Sequence, residues 1–483
     1  MLEQKERSDS ARATVGEAVA RARVAQRAWG ALSHRERARR MRSLREVLVR
    51  RADEVIETIH EETGKPRVEA LGHEVMVVAS LIRTYEKRAP AVLRPRSVGT
   101  GILGTKRGTK LYEPYGVVGV ISPWNFPFSL PAIPTVSALF AGNAVVLKPS
   151  EVTPRTGALL GALVREALPD HPELVQVIGG GGAEGAALVT SGVDKIAFIG
   201  SPATARRVLA GAAETLTPAV IELGANDVAI VCDDADPERA AAGIVWGAMS
   251  NAGQVCMSTE RALVAASIYD RFTEALVREV GKLRTGGPGE VDVGPLIFAP
   301  QRGVIDRVVE DARGHGARIV RGTVRAGGSE RVYPPTLLLD AHRRMRLHEE
   351  ETFGPVLAVT PVRDDDEALR IANSGRYGLN ATVWTRSRKR GRRIARRLDA
   401  GSVMVNDALV NFGLSELPYG GVKESGFGRL QGDEGLLEFA RVKAVAETRL
   451  AMKRELLWFP YRRTTYRLLH RVFTLVFGTR RGR

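Results

Sequence analysis

Apolar residues recur at helical spacing through the first part of the chain. Val15, Ala18, Val19, Ala22 and Val24 form one stripe, and Met41, Leu44, Val47 and Leu48 form another. Helices are therefore expected over 10–62, with the many arginines of 33–51 on a solvated face rather than a binding surface. From Tyr112 the pattern changes. Short, nearly continuous apolar runs appear at 116–121, 144–147, 197–199 and 228–231, and helix-like stretches separate them at 131–141, 153–167, 185–191 and 203–216. The alternation continues with candidate strands at 261–265, 317–320, 356–359 and 381–383. Strands buried on both faces and separated by helices predict βαβ units around parallel sheets. Two α/β lobes joined near 222–253 are the simplest reading, with 96–115, Gly-rich and basic, as a projecting hairpin suited to subunit pairing.

Composition narrows the class. The 483 residues include 26% charged and 44% hydrophobic positions, ordinary globular usage that argues against disorder or a disulfide scaffold. No uninterrupted apolar stretch reaches the length of about 18 residues that reads as a membrane-spanning helix. The N-terminal segment lacks the apolar core of a signal peptide, so a reducing cytosol is expected. Two cysteines, Cys232 and Cys256, are too few for a staple and match no metal-ligand spacing, so no metal is expected.

The net charge is +16, from 71 Lys/Arg against 55 Asp/Glu. Residues 451–483 carry nine Lys/Arg and a single acid, Glu455, so the tail differs from the body.

Several short segments carry candidate chemistry. Cys256 follows a Gly253-Gln254 turn; it reads as a nucleophile on an exposed elbow or as small buried filler. Cys232, ending an apolar run, reads as core. Glu222 ends an apolar strand ahead of a Gly turn, where open α/β sheets bind ligands; it reads as a general base or as a capping, ion-paired carboxylate. Asn125, in Pro123-Trp124-Asn125-Phe126-Pro127, offers an amide donor for a developing oxyanion. Lys148 and Glu151 follow another strand and suit ribose hydroxyls. Gly180, Gly182 and Gly185 formally satisfy G-x-G-x-x-G, a weak signal alone. The turn at Gly200-Ser201 follows a strand and opens a helix, whose free N–H groups suit a pyrophosphate.

The ordered set WNFP, KPSE, FIGS, ELGA, GQVC, EETFGPV and PYGGVKESGFGR resembles the aldehyde dehydrogenase superfamily, over Ala18 to Ala446. The resemblance implies an α/β fold in three parts. These are a Rossmann-type NAD-binding domain (1–95 and 116–223), an α/β catalytic domain (224–430) and a small oligomerisation β element (96–115 and 438–448). It implies Cys256 as nucleophile, Glu222 as general base and Asn125 as the oxyanion side chain. Lys148 and Glu151 match the adenosine-ribose pair, Gly200 and Ser201 the pyrophosphate turn, and Glu351 and Phe353 the nicotinamide ribose and ring. Ile121, Trp124 and Leu223 fall among the cofactor contacts.

The presence of Glu222 implies release of a free acid rather than transfer to coenzyme A. Glu151 implies NAD rather than NADP, because a carboxylate repels a 2′-phosphate. NADP remains the alternative acceptor. Most relatives are dimers or tetramers. The family often has a second glycine where this chain has Ala225, which requires a negative φ there. Ile199 stands where Thr is frequent.

The tail lies beyond the resemblance. At 100° per residue, Tyr466, Leu468, Leu469, Val472, Phe473, Leu475, Val476 and Phe477 share one face. Arg463, Arg467, His470, Arg471 and Thr474 share the other, and Arg462 breaks the pattern. With Trp458, Phe459 and Pro460 before it and Arg480, Arg481 and Arg483 after it, this reads as a basic amphipathic helix lying on an anionic membrane surface, peripheral to the cytoplasm. Packing on the body or on a second subunit is the alternative.

The leading function is oxidation of an apolar or long-chain aldehyde. A semialdehyde dehydrogenase acting on succinate semialdehyde or a similar acid is the alternative, and a catalytically silent membrane-docked scaffold is the competitor from another class. Nucleic acid is not expected as a partner.

Overall fold

The computed structural model describes residues 2–287, 290–324 and 329–478. The chain opens with helices Leu2–Ala31, His34–Arg50 and Ala52–Thr63. The apolar stripe of the second helix is buried, as its periodicity requires, and Ser33 caps its first turn by accepting from Glu36 N–H. One arginine departs from the solvated face expected of this stretch. Arg37 is buried, and its guanidinium donates to the carbonyls of Gly30, Leu32 and Phe140. A guanidinium has five N–H donors, and carbonyls at chain reversals give its Nε and one terminal nitrogen acceptors inside the protein.

The first sheet has the spatial order Gly426–Phe427, Ala219–Leu223, Lys195–Gly200, Val117–Ile121, Ala144–Lys148, Val175–Val177. All pairs are parallel except the first, where Gly426 lies opposite Glu222. The chain leaves Val117–Ile121 in one direction, then returns to lay Lys195–Gly200 on its other side. This reversal opens a crevice at the C-terminal strand ends, where such sheets bind ligands.

The helix Ser129–Ala141 is buried along its whole length. A helix apolar all round belongs inside, which is why it shows no stripe. The Thr135 and Ser137 hydroxyls donate back to the carbonyls of Pro131 and Ile133, so these two polar groups are satisfied within the helix.

Only residues 224–226 separate the last strand of that run from the second sheet. Its order is Arg318–Arg321, Thr336–Leu339, Val356–Val362, Thr259–Ala265, Asp227–Val231, Asn380–Trp384, Ser402–Val405, parallel but for the first pair. Cys232 lies in its core with Ile230, Leu263 and Val383, and burial pushes its thiol up to about 12, as suits a packing residue.

Separately, Arg96–Val98, Lys106–Pro114 and Ala440–Thr448 form a three-stranded sheet, its first pair antiparallel. The tail contains the helix Arg463–Phe477, with no buried residue. Arg480, Arg481 and Arg483 lie outside the described residues. Among the described residues, no helix is long and apolar enough to cross a membrane.

Candidate active site

Cys256 is presented by an unusual turn. Asn251, Ala252 and Gly253 all have left-handed backbone, with φ of 51°, 53° and 69°. The first two cost about 1–3 kcal/mol each as non-glycine residues. Gly253 is obligatory, since a Cβ there would lie 2.0 Å from the Gly354 carbonyl oxygen. The turn is held from outside by the buried Glu69 carboxylate, which accepts the Asn251 N–H at 3.0 Å. It is held from inside by Gln254, whose amide donates to Asn251 O and accepts from Ile297 N–H. Cys256 is half-buried, and its sulfur lies 3.2 Å from the Tyr419 hydroxyl. Burial pushes the thiol up to about 12, opposed by that hydroxyl and reinforced by Glu222, Asp227 and Glu351.

Asn125 follows the central strand Val117–Ile121, at the reversal of the first sheet. Its side-chain amide donates one hydrogen bond to Gln254 O at 3.0 Å, which ties it to the turn bearing Cys256 and leaves its second N–H for another acceptor. Its backbone carbonyl accepts from Asn251 Nδ2 at 2.9 Å and from Lys65 Nζ at 3.0 Å. Lys65 in turn pairs with Glu74 at 2.6 Å, both side chains fully buried. The other oxygen of Glu74 accepts the N–H of Phe128 and Ser129, and the Lys65 ammonium sits 4.0 Å from the Phe126 ring centre. One buried ion pair thus fixes the whole WNFP loop. Glu69 precedes, and Glu74 lies within, a π-helical segment, Ala70–Val75, in an otherwise α-helical run; such segments often mark functional sites.

Glu222 is buried in the strand Ala219–Leu223, and one carboxylate oxygen accepts the Gly421 N–H at 3.2 Å. Burial raises its pKa to about 8, against the pull of that N–H and of Arg429. Such a carboxyl holds a proton near neutrality and makes a stronger base once it has lost it.

Cys256, Asn125 and Glu222 line one cavity of about 370 Å³. Trp124, Gly200, Ser201, Leu223, Glu351 and Phe353 line it too. Ser201 caps the helix Pro202–Thr215, accepting from Thr204 N–H. Gly224 lies so close to Glu351 that a Cβ there would meet its carboxylate at 2.1 Å. Ala225, the departure from the family pattern, is not among the residues with positive φ, and its N–H donates to Glu351 at 3.0 Å. Phe353 has a left-handed φ of 49°, held by the buried Glu260 carboxylate, which accepts the N–H of both Thr352 and Phe353.

Ile121, Lys148 and Glu151 do not line this cavity. Ile121 and Lys148 end adjacent strands in register, and Lys148 pairs with Glu151 at 2.9 Å. Gly180, Gly182 and Gly185 lie after the edge strand Val175–Val177, also away from it.

Cys256 also borders a second cavity of about 240 Å³, walled by Val77, Phe126, Trp246, Met257, Leu409 and Phe412. Its titratable side chain besides Cys256 is His73, which packs against Phe126 and Trp246. Burial, with help from Lys65, lowers the pKa of His73 to about 4, so its ring is neutral.

Lys65, Glu69, Glu74, Glu260 and Tyr419 were not among the residues singled out by sequence. Tyr419 lay within a recognised motif but without a role. The others sit in stretches whose polarity resembles ordinary surface, and only burial distinguishes them.

The chain matches the Aldehyde dehydrogenase family over residues 4–445. It is 40% identical over 469 residues to the 4,4'-diapolycopene aldehyde oxidase of Methylomonas sp, covering 96% of this chain and 88% of that protein. It is 37% identical over 439 residues to a Mycobacterium ulcerans (strain Agy99) protein provisionally named an NADP(+) succinate-semialdehyde dehydrogenase, covering 90% and 84%. Among solved structures, the NAD-dependent aldehyde dehydrogenase from Sinorhizobium meliloti superposes with a TM-score of 0.88 at 34% identity, covering 93% of this chain and 89% of that one. The chain belongs to the aldehyde dehydrogenase family.

Proposed function

We propose that the protein oxidises an apolar aldehyde to the free carboxylic acid, with NAD in preference to NADP as acceptor. The observation that carries this reading is the position of Cys256 between two cavities. One holds Asn125, Glu222 and Glu351, and the other has apolar walls. The residues present fit a dinucleotide. Glu351 accepts from Ala225 N–H through one oxygen and lines the cavity, which leaves acceptor capacity for ribose hydroxyls. Ser201 opens a helix whose N–H groups suit a pyrophosphate. Lys148 and Glu151 suit the adenosine ribose, and Glu151 disfavours a 2′-phosphate.

In this reading the Cys256 thiolate adds to the aldehyde carbon, and the oxygen takes up the displaced electron pair as an alkoxide. The free N–H of Asn125 and the Cys256 backbone N–H stabilise that charge. A nicotinamide dinucleotide, when bound, would supply the hydride acceptor that the adduct needs to become a thioester. Glu222 then takes a proton from water, hydroxide adds to the thioester carbon, and the thiolate leaves. The buried Glu69, Glu74 and Glu260 carboxylates act at a distance, holding the turns that carry Cys256, Asn125 and Phe353.

The apolar cavity supports an apolar substrate. An acid semialdehyde, as the mycobacterial relative's name would suggest, needs a cation beside its carboxylate, and neutral His73 does not supply one. The exposed helix Arg463–Phe477 supports docking to an anionic lipid surface: Tyr466, Phe473, Leu475 and Phe477 are exposed beside Arg463, Arg467 and Arg471. The three-stranded sheet is a candidate pairing element for a homodimer or homotetramer.

The test is NADH absorbance with purified protein, NAD and a ladder of aldehydes without coenzyme A, with Cys256→Ala alongside. Turnover rising with chain length and absent in the variant is expected. Turnover confined to short acid semialdehydes, or retained by Cys256→Ala, overturns the reading.

A further inference from the structure

The motif Pro418-Tyr419-Gly420-Gly421 reaches both reacting groups at once. The Tyr419 hydroxyl lies 3.2 Å from Cys256 Sγ, and two residues later the Gly421 N–H donates to Glu222. The tyrosine is held on every side. Its backbone N–H and C=O both pair with Leu430, at 2.6 Å each, and its ring meets Phe412 edge-on at 4.9 Å between centres. It lines the cavity shared by Cys256 and Glu222 and is 2% exposed. A buried phenol needs a hydrogen-bond partner, and this one meets the sulfur.

The electrostatic surroundings say which way that hydrogen bond runs. Burial holds the thiol proton on, Tyr419 favours its loss, and Glu222, Asp227 and Glu351 hold it on once they are ionised. Burial, Cys256, Glu222 and Asp227 together hold the Tyr419 hydroxyl well above the ordinary phenol range. It therefore keeps its proton where an ordinary phenol begins to lose one, and it is a donor when the sulfur is a thiolate.

We propose that Tyr419 is a catalytic residue whose hydroxyl donates to the Cys256 thiolate and then to the alkoxide formed when that thiolate adds to the aldehyde. The assignment rests on the reading of Cys256 as nucleophile. The thiol proton goes to solvent before addition. A sulfur lone pair then forms the S–C bond, and the carbonyl π pair moves to oxygen. The phenol proton is shared with sulfur and then with oxygen but never transferred. Tyr419 thus offsets part of the penalty that burial imposes on the thiolate, and it joins Asn125 as a donor to the oxyanion. The same loop holds Glu222, so addition and hydrolysis depend on one backbone segment.

The test follows alkylation of Cys256 by iodoacetamide against pH in the full-length enzyme, read by peptide mass so that buried Cys232 does not contribute. Tyr419→Phe keeps the ring against Phe412 and removes only the hydroxyl. Losing a hydrogen bond to a charged group is expected to raise the apparent thiol pKa by about one to two units, so that alkylation near neutrality slows roughly 10- to 100-fold. The same variant is expected to lose kcat/KM by a similar factor. Replacing Tyr419 with 3-fluorotyrosine, a more acidic phenol of nearly the same shape, is expected to shift the profile the other way, and this arm stands even if Tyr419→Phe folds poorly. Wild-type alkylation profiles in both proteins, with Cys256→Ala inactive, would overturn the role of Tyr419 alone. Aldehyde oxidation retained by Cys256→Ala would overturn the reading beneath it.

Discussion

Replacing Lys65 by Met removes the cation at the centre of the WNFP loop while keeping most of the side-chain volume. Lys65 and Glu74 are both fully buried and 2.6 Å apart, so the change leaves a carboxylate with no counter-charge and only two N–H donors, those of Phe128 and Ser129. Breaking a buried pair in this way costs about 3–5 kcal/mol, a large part of the total stability of about 5–15 kcal/mol typical of folded domains.

The substitution also removes one of the two hydrogen bonds to the Asn125 carbonyl and the ammonium over Phe126. The amide of Asn125 is then less firmly placed, and a misplacement of about 1 Å can lower turnover about 100-fold. Urea unfolding and steady-state kinetics of Lys65→Met are expected to show a lowered midpoint and a reduced kcat with little change in the KM for NAD. The double variant Lys65→Met/Glu74→Gln removes the stranded charge but keeps an acceptor for the two N–H groups, so it should be more stable than the single one. A loss below about 1 kcal/mol in Lys65→Met, or a double variant less stable than the single, would refute the reasoning, because the pair would then be no more than a surface-type interaction.

Glu222→Gln should leave addition and hydride release intact but slow hydrolysis about 10²–10⁴-fold, so that rapid mixing shows a burst of NADH followed by a slow steady state. With the Glu222 pKa raised to about 8, its base form gains population as pH rises through that value; wild-type deacylation should climb on that limb, and the limb should vanish in Glu222→Gln. Asn125→Ala should lower kcat about 10²–10³-fold with intact cofactor binding measured by fluorescence; an unchanged kcat would remove Asn125 from the oxyanion site. Leu468→Glu/Phe473→Glu places charge on exposed positions of the tail helix and should abolish flotation with phosphatidylglycerol-containing liposomes while leaving thermal stability unaltered. Equal flotation of both proteins would contradict lipid docking.

The sequence by itself determined the alternation of buried strands and helices, because a strand covered on both faces must be apolar throughout and its covering helices carry a stripe. It also determined the motif order in which Asn125, Glu222 and Cys256 stand, since each lies in a short segment whose turn chemistry is local. It was silent where the physics is not local. The stretch 131–141 reads as a helix, yet nothing in its sequence marks the helix Ser129–Ala141 as buried on every face. Arg37 has the same composition as its solvated neighbours and differs only in the carbonyls it finds. Lys65 and Glu74 are nine residues apart, yet their pairing becomes structural only because Asn125, Phe126 and Phe128 fold over them. Tyr419 reaches Cys256 across 163 positions of chain. Tertiary structure alone decided these, because desolvation sets the strength of a charge or a hydrogen bond, and desolvation depends on what packs around a residue rather than on what precedes it.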